Sequence, residues 1–217
     1  MPLSLVNGSL LYFAHVPKCA GSSTEAYLKA RFGPLALMDR AHYQRQRRWT
    51  RSSPQHALWA DMARLIPAAM LGGSLAIVRH PVDRLVSVFL WQREWEKALP
   101  QDMTFSGFLD AVEAGWQSAR RKHTWDNHAS PMAAFMPPDC TVFRLEDGLE
   151  PVVDWLDAFA GSTDGPRRIG ISNRIGAQLK RRGRTLPDVP VSDQDRTRIA
   201  TLYAGDFEQF GYDPSAR

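Results

Sequence analysis

Lys18 heads a run of small residues, Cys19, Ala20, Gly21, Ser22 and Ser23, set between an apolar segment and one of helix-forming composition. A turn of that kind aims successive backbone N–H groups into a concavity, and the helix N-terminus behind it adds partial positive charge. The ammonium of Lys18 and the hydroxyls of Ser22, Ser23 and Thr24 complete a holder for a phosphate or sulfate. The ATP-type order G-x-x-x-x-G-K-[ST] is absent, because Lys18 precedes Gly21. Taken alone, the segment also reads as a plain strand-to-helix turn with a solvent-facing lysine.

A second constellation lies at Arg79 to Ser87. Ile77-Val78-Arg79-His80-Pro81 closes an apolar run, and Arg84, Ser87 and Trp91 share one flank of the helix that follows. Ligands of open parallel sheets bind outside the carboxyl ends of the strands, where Arg79 would sit, so Arg79 and Ser87 could converge on an anion. The bland alternative pairs Arg79 with a nearby carboxylate and leaves Ser87 a neutral helical residue.

Elements that would position these groups alternate along the chain. Ser9–Val16, Ser74–Val78 and Cys140–Leu145 read as buried strands, the second bounded by Gly72-Gly73 and Pro81. Thr24–Arg31 reads as a helix. A second should start at Ser53-Pro54 and run to about Ile66, with Leu58, Met62 and Leu65/Ile66 on its inner face. Val82–Leu99 has apolar residues at helical spacing, and Thr104 caps a helix reaching about Gly115. A box-like start at Asp147–Glu150 precedes a helix over Pro151–Ala160, Pro166–Pro190 is basic and irregular, and Ser192–Phe210 closes the chain as one helix. This alternation predicts an α/β fold with a parallel sheet covered on both faces.

The 217 residues amount to one domain, 1–217, and 44% hydrophobic content suffices for a core and excludes wholesale disorder. A net charge of +4 suits an anionic ligand and falls short of a nucleic-acid binder. Cys19 and Cys140 offer neither a disulfide framework nor zinc spacing, which predicts a reducing compartment. The uncharged N-terminal stretch has no preceding Lys or Arg and is interrupted by Asn7-Gly8-Ser9, unlike a signal sequence. Leu65–Val78, with Pro67 and two glycines, is no membrane span.

Together, HVPKCAGSST and IVRHPVDRLVSVF resemble the two cofactor motifs of the carbohydrate-type sulfotransferases, which use 3′-phosphoadenosine 5′-phosphosulfate (PAPS). Gln55-His56-Ala57-Leu58-Trp59 resembles the segment carrying the base in heparan-sulfate 2-O- and 6-O-sulfotransferases. Val142–Asp147 and the end, Leu202–Tyr212, are similar to that family's late strand and closing helix. Cys19 and Ala20 stand where Thr and Gly are frequent in the family, His80 where Asp is, and Asn127–Met132 matches its acceptor-side segment only in part.

The resemblance implies a P-loop NTPase-like three-layer fold and sulfuryl transfer to a hydroxyl of a glycan or glycolipid. His56 would be the general base, its neutral form favoured by the dipole of the helix begun at Pro54. Lys18 would steady the leaving phosphate. The run Lys18–Ser23 would bind the 5′-phosphosulfate, with Arg79 and Ser87 on the 3′-phosphate. No metal, nucleic acid or transmembrane segment is expected, and a bacterial cytoplasmic setting is. His15 would orient the loop or act as a second base, and His80 would be structural. His42, His123 and His128 would be surface or acceptor-side residues. Two basic clusters remain: Arg45, Arg47, Arg48 and Arg51 around Trp49, which could hold an acidic sugar chain, and Arg167, Arg168, Arg174, Lys180, Arg181, Arg182 and Arg184, where related enzymes close over the bisphosphate. A solvated face is the plain reading of both. A small-molecule kinase or a non-enzymatic binder of anionic polymers are the rival functions.

Overall fold

The computed structural model describes residues 2–39, 41, 42, 44–48, 50–118, 124–170 and 175–215, Arg45 by its backbone only. It opens with a hairpin that the sequence reading did not assign. β1 (Leu3–Val6) pairs antiparallel with β2 (Ser9–Ala14), Leu3 opposite Tyr12 and Val6 opposite Ser9. Asn7 and Gly8 join them at φ 49° and 82°, the left-handed pair that a two-residue hairpin turn requires. So short a link can connect only antiparallel strands, which makes β1 an antiparallel edge on an otherwise parallel sheet. β2 pairs parallel with β3 (Leu71–Val78), and β3 with β4 (Thr141–Arg144), in the order β1-β2-β3-β4.

Gly72 and Gly73 lie inside β3 instead of bounding it. A Cβ on Gly73 would stand 2.6 Å from the Phe159 ring and 3.4 Å from that of Trp155, so the helix carrying those rings packs directly on the strand backbone. Leu11–Ala14 and Ser74–Val78 are buried without alternation, as strands covered on both faces must be.

The helices are α1 (Gly21–Phe32), α2 (Trp59–Met62), α3 (Pro81–Leu90), α4 (Phe105–Gln117), α5 (Glu150–Ala160), α6 (Ile175–Arg181), α7 (Asp193–Leu202) and α8 (Ala204–Phe210). Side chains of β2, β3, α1 and α5 share one core, among them Phe13, Leu28, Ile77 and Leu156. A second core joins α3, α4, α7 and α8 through Leu85, Phe89, Phe108, Ile199 and Phe207. Helices flanking a mainly parallel sheet are the α/β architecture expected. No helix among the described residues is long and apolar enough to cross a membrane.

Several boundaries differ from expectation, each for a local reason. The helix expected from Pro54 to about Ile66 is a 3₁₀ turn, Pro54–His56, then extended residues at Ala57 and Leu58, then the short α2. The His56 carbonyl, which a continuous helix would use, accepts instead from Asn127 Nδ2 at 2.7 Å. Met62 is buried as expected, whereas Leu65 is 69% exposed. Beyond Leu90, α3 widens into a π-helical turn, Trp91–Trp95. The box at Asp147–Glu150 does not form: Leu145–Asp147 is a 3₁₀ turn, Gly148 is left-handed, and no side chain caps α5. The basic stretch after Pro166 contains α6. The closing helix breaks at Tyr203, whose buried hydroxyl donates to the Ala129 carbonyl at 2.5 Å. Thr104 and Ser192 cap α4 and α7.

Candidate active site

Because β2, β3 and β4 are parallel, the segments leaving their carboxyl ends fall on one side of the sheet. Residues from Pro17–Ser23, from Arg79 onward and from Leu145–Glu150 line a single cavity of about 1220 Å³. Lys18, Ala20, Gly21, Ser22, Ser23, His56, Arg79 and Ser87 all lie on its wall. The structure therefore gathers two sequence-remote anion motifs and the expected base.

The loop after β2 is shaped by two left-handed residues, Lys18 (φ 68°) and Ala20 (φ 63°). For Ala20 this conformation costs roughly 1–2 kcal/mol that glycine would not incur. Ala20 then accepts the first backbone bonds of α1, from Ser23 and Thr24. The opening N–H groups of a helix have no carbonyl one turn behind them, and here they belong to residues of the cavity wall. The Cys19 side chain does not share that wall. It is buried, donates weakly to the Pro17 carbonyl, and burial pushes its thiol up to about 12. Cys19 can contribute only backbone to a ligand.

Among the described residues neither Lys18 nor Arg79, both on the wall, forms an ion pair. The Lys18 ammonium lies 4.0 Å over the Trp91 ring, and burial, then the nearby Arg79 charge, lower its pKa to about 8. Among the described residues no carboxylate pairs with Arg79, which removes the bland reading of that residue. Ser87 and Trp91 face the cavity from α3 and the π-helical turn, but Arg84 does not share their flank in space. Its side chain is fully buried and donates to the His128 and Ser130 carbonyls at 3.0 and 2.8 Å.

Three histidines form a row on the remaining wall. The His56 ring meets those of His15 and His128 edge to face, each at 4.8 Å. His15 Nδ1 lies 2.5 Å from Glu25 of α1. His56 Nδ1 lies 2.7 Å from Asp126 Oδ2, and His128 Nδ1 2.8 Å from Gln92 Nε2. Burial lowers the pKa of both His15 and His128, the latter well below the ordinary value with help from the His56 charge. Burial pushes the Asp126 carboxyl up, but the His56 hydrogen bond and charge outweigh it, and the group is held below the usual carboxylate range.

His128 and His42 are both buried, so neither is a surface residue; His128 faces the cavity beside His56. His80 precedes α3, and its ring packs on Phe207 and Tyr212. His123, Trp49, Arg174 and the Arg45 side chain lie outside the described residues. Arg47, Arg48 and Arg51 are exposed. Of the later cluster, Arg168 lines the cavity, Arg182 stacks on Trp95, and Arg167 and Arg184 pair with Asp157 and Glu94.

Sequence reasoning missed Asp126, for no local pattern ties it to His56. Ser53 was read only as a helix cap; its N–H and hydroxyl both donate to Asp126, at 2.5 and 2.7 Å. Missed too was a three-donor group: His56, Asp126 and His128 each offer a ligand atom within 4.8 Å of the others. Within the group His56 and Asp126 are hydrogen-bonded to each other, while His128 Nδ1 faces Gln92.

A sequence model described as the sulfotransferase family matches residues 7–213. No curated protein and no solved structure matches the chain.

Proposed function

The chain belongs to the sulfotransferase family, and on that premise we propose that it moves a sulfuryl group from PAPS to a hydroxyl of a glycan or glycolipid-type acceptor, with His56 as general base. One observation carries this reading: a phosphate-type loop, Arg79 and a histidine backed by a carboxylate, His56 with Asp126 behind it, meet at the same cavity. The donor supplies the activated sulfuryl group and leaves as adenosine 3′,5′-bisphosphate.

The residues fit such a ligand. Lys18 and the backbone of Cys19–Ser23 would hold the 5′ side, with the hydroxyls of Ser22 and Ser23. Arg79 and Ser87, on the next strand end, would hold the 3′-phosphate, the group that separates this nucleotide from AMP and ATP. Lys18 would balance charge that gathers on the leaving oxygen, where preorganised cations act most strongly. His56 takes the acceptor proton at Nε2, since Nδ1 already faces Asp126. The glycan assignment rests on the likeness of Gln55–Trp59 to glycan-modifying enzymes.

Adenosine 3′,5′-bisphosphate should stabilise the protein clearly more than AMP or ATP. A ligand at a hundred times its Kd adds about 2.7 kcal/mol, several degrees of Tm for a chain of this size. Equal shifts with all three nucleotides would overturn the donor assignment. Transfer of labelled sulfate from PAPS into a lipid and polysaccharide extract then reports the acceptor class.

A further inference from the structure

We infer that Asp126 is the positioning residue for His56, fixing the ring as the Nδ1–H tautomer and steadying the imidazolium that forms when Nε2 takes a proton. The inference rests on His56 being the base.

The carboxylate is held from several directions. Asp126 Oδ1 accepts from the Ser53 backbone N–H, and Oδ2 accepts from the Ser53 hydroxyl while facing His56 Nδ1. The next residue, Asn127, donates its side-chain amide to the His56 carbonyl at 2.7 Å. Two adjacent side chains thus clamp both ends of one 3₁₀ turn, 70 residues away in sequence. To present them together, Trp125, Asp126 and Asn127 are all left-handed, at φ 49°, 56° and 62°. Strain of this kind persists where the surroundings over-determine it, and it concentrates at functional sites. The turn is fixed from behind by Arg84 and Tyr203, which bond the carbonyls of residues 128–130.

An ionised carboxylate only accepts, so the ring proton sits on Nδ1 and the Nε2 lone pair is the free edge of a ring on the cavity wall. In the transfer step the acceptor O–H bond breaks and its proton goes to Nε2. The acceptor oxygen bonds to sulfur, and the bond between sulfur and the leaving phosphate oxygen breaks with the electron pair staying on the phosphate. No proton passes to Asp126. Its charge faces the imidazolium, whereas Gln92 offers His128 only a neutral amide. That contrast separates His56 from His128, whose Nδ1 has no carboxylate beside it.

The test uses the full chain with ¹⁵N-labelled histidine. In wild type, the His56 ring, identified by comparison with His56→Ala, should show a protonated Nδ1 and a bare Nε2; the reverse pattern overturns the inference without reference to any variant. Asp126→Asn should abolish that preference and lower kcat by about 10²-fold or more, with the affinity for adenosine 3′,5′-bisphosphate and the KM for PAPS unchanged. Asp126→Glu should recover part of the rate. Full kcat in Asp126→Asn, where His56→Ala is inactive, sinks the positioning role alone. An active His56→Ala enzyme sinks the base assignment beneath it.

Discussion

The histidines of two histidine–carboxylate pairs share one cavity wall, their imidazoles 4.8 Å apart and edge to face. His15–Glu25 is local: it joins the end of β2 to α1, 10 residues on. His56–Asp126 joins segments 70 residues apart. They differ most in what the far edge of each ring meets. A Cβ built on Gly21 would lie 1.8 Å from His15 Nε2, so that nitrogen is pressed against the backbone of the phosphate loop. His56 lies on the cavity wall, and Asp126 faces its Nδ1. On the proposed reading the same two residue types would serve separate ends: one pair would shape the loop that holds the donor, and the other would take a proton. The geometry favours the loop-orienting role for His15 over that of a second base.

The comparison is broken most directly by removing each ring. His56→Ala should lower sulfate transfer by about 10²–10⁴-fold with bisphosphate binding intact by calorimetry. His15→Ala should do the converse, weakening bisphosphate binding while retaining turnover at saturating PAPS. If His15→Ala costs the larger share of saturated turnover, the roles are exchanged.

Next in size is Gly21→Ala. The added methyl must displace the His15 ring or the loop, and overpacking of this kind costs roughly 1–3 kcal/mol. Thermal unfolding and bisphosphate affinity should fall together. In a His15→Ala background the same substitution should cost much less stability, because the ring it strikes is gone. An equal cost in both backgrounds would mean that His15 does not press on the loop.

What could be read beforehand follows the same local–remote division. Lys18–Ser23 after a strand, Arg79 before a helical Pro, and the apolar end of β3, Leu75–Val78, are neighbourhood patterns, and the structure places their strands and turns close to where the residues predict. His56 was legible only by likeness to known enzymes. Asp126 was not legible at all, because its partner lies 70 residues away and a left-handed turn does the joining. The break after His56 has the same origin, a helix-forming segment whose carbonyl is captured by Asn127 from elsewhere in the fold. Asn7-Gly8 between apolar runs also carries a hairpin signal, where the sequence reading took those residues only as interrupting a signal-like stretch.

A smaller effect, graded by pH, tests whether the loop half binds through charge. Lys18 titrates near 8 in the free protein, below its ordinary value of 10.5. An anionic ligand needs the ammonium, so from about pH 7, where the ligand's phosphates are fully ionised, affinity for adenosine 3′,5′-bisphosphate should hold to about pH 8 and weaken above it, by at most about tenfold per pH unit. Binding above pH 8 should take up a proton, seen as a buffer-dependent calorimetric heat. For stability the sign is opposite: the buried ammonium costs the fold below pH 8, and that cost fades as pH rises from 8 toward 10.5. Lys18→Met should remove both dependences.

The smallest effect expected is the most discriminating. Glu25→Gln and Asp126→Asn exchange a carboxylate for an amide in equivalent pairs. Both acids are held below the usual range because the hydrogen bond to histidine outweighs the burial that pushes them up. The ground-state electrostatics alone would make the substitutions alike. They diverge once a proton moves. His15, kept neutral by burial, has no charge change to be matched during transfer. Glu25→Gln therefore loses only the difference between a charged and a neutral hydrogen bond, on the order of 1 kcal/mol. That should appear as a few-fold weaker bisphosphate affinity with kcat unchanged. In the His56 pair the ring gains a full charge beside the carboxylate, and the penalty falls on kcat. Similar kcat losses from the two substitutions would mean that proton transfer is shared along the histidine row and that the two pairs are not functionally distinct.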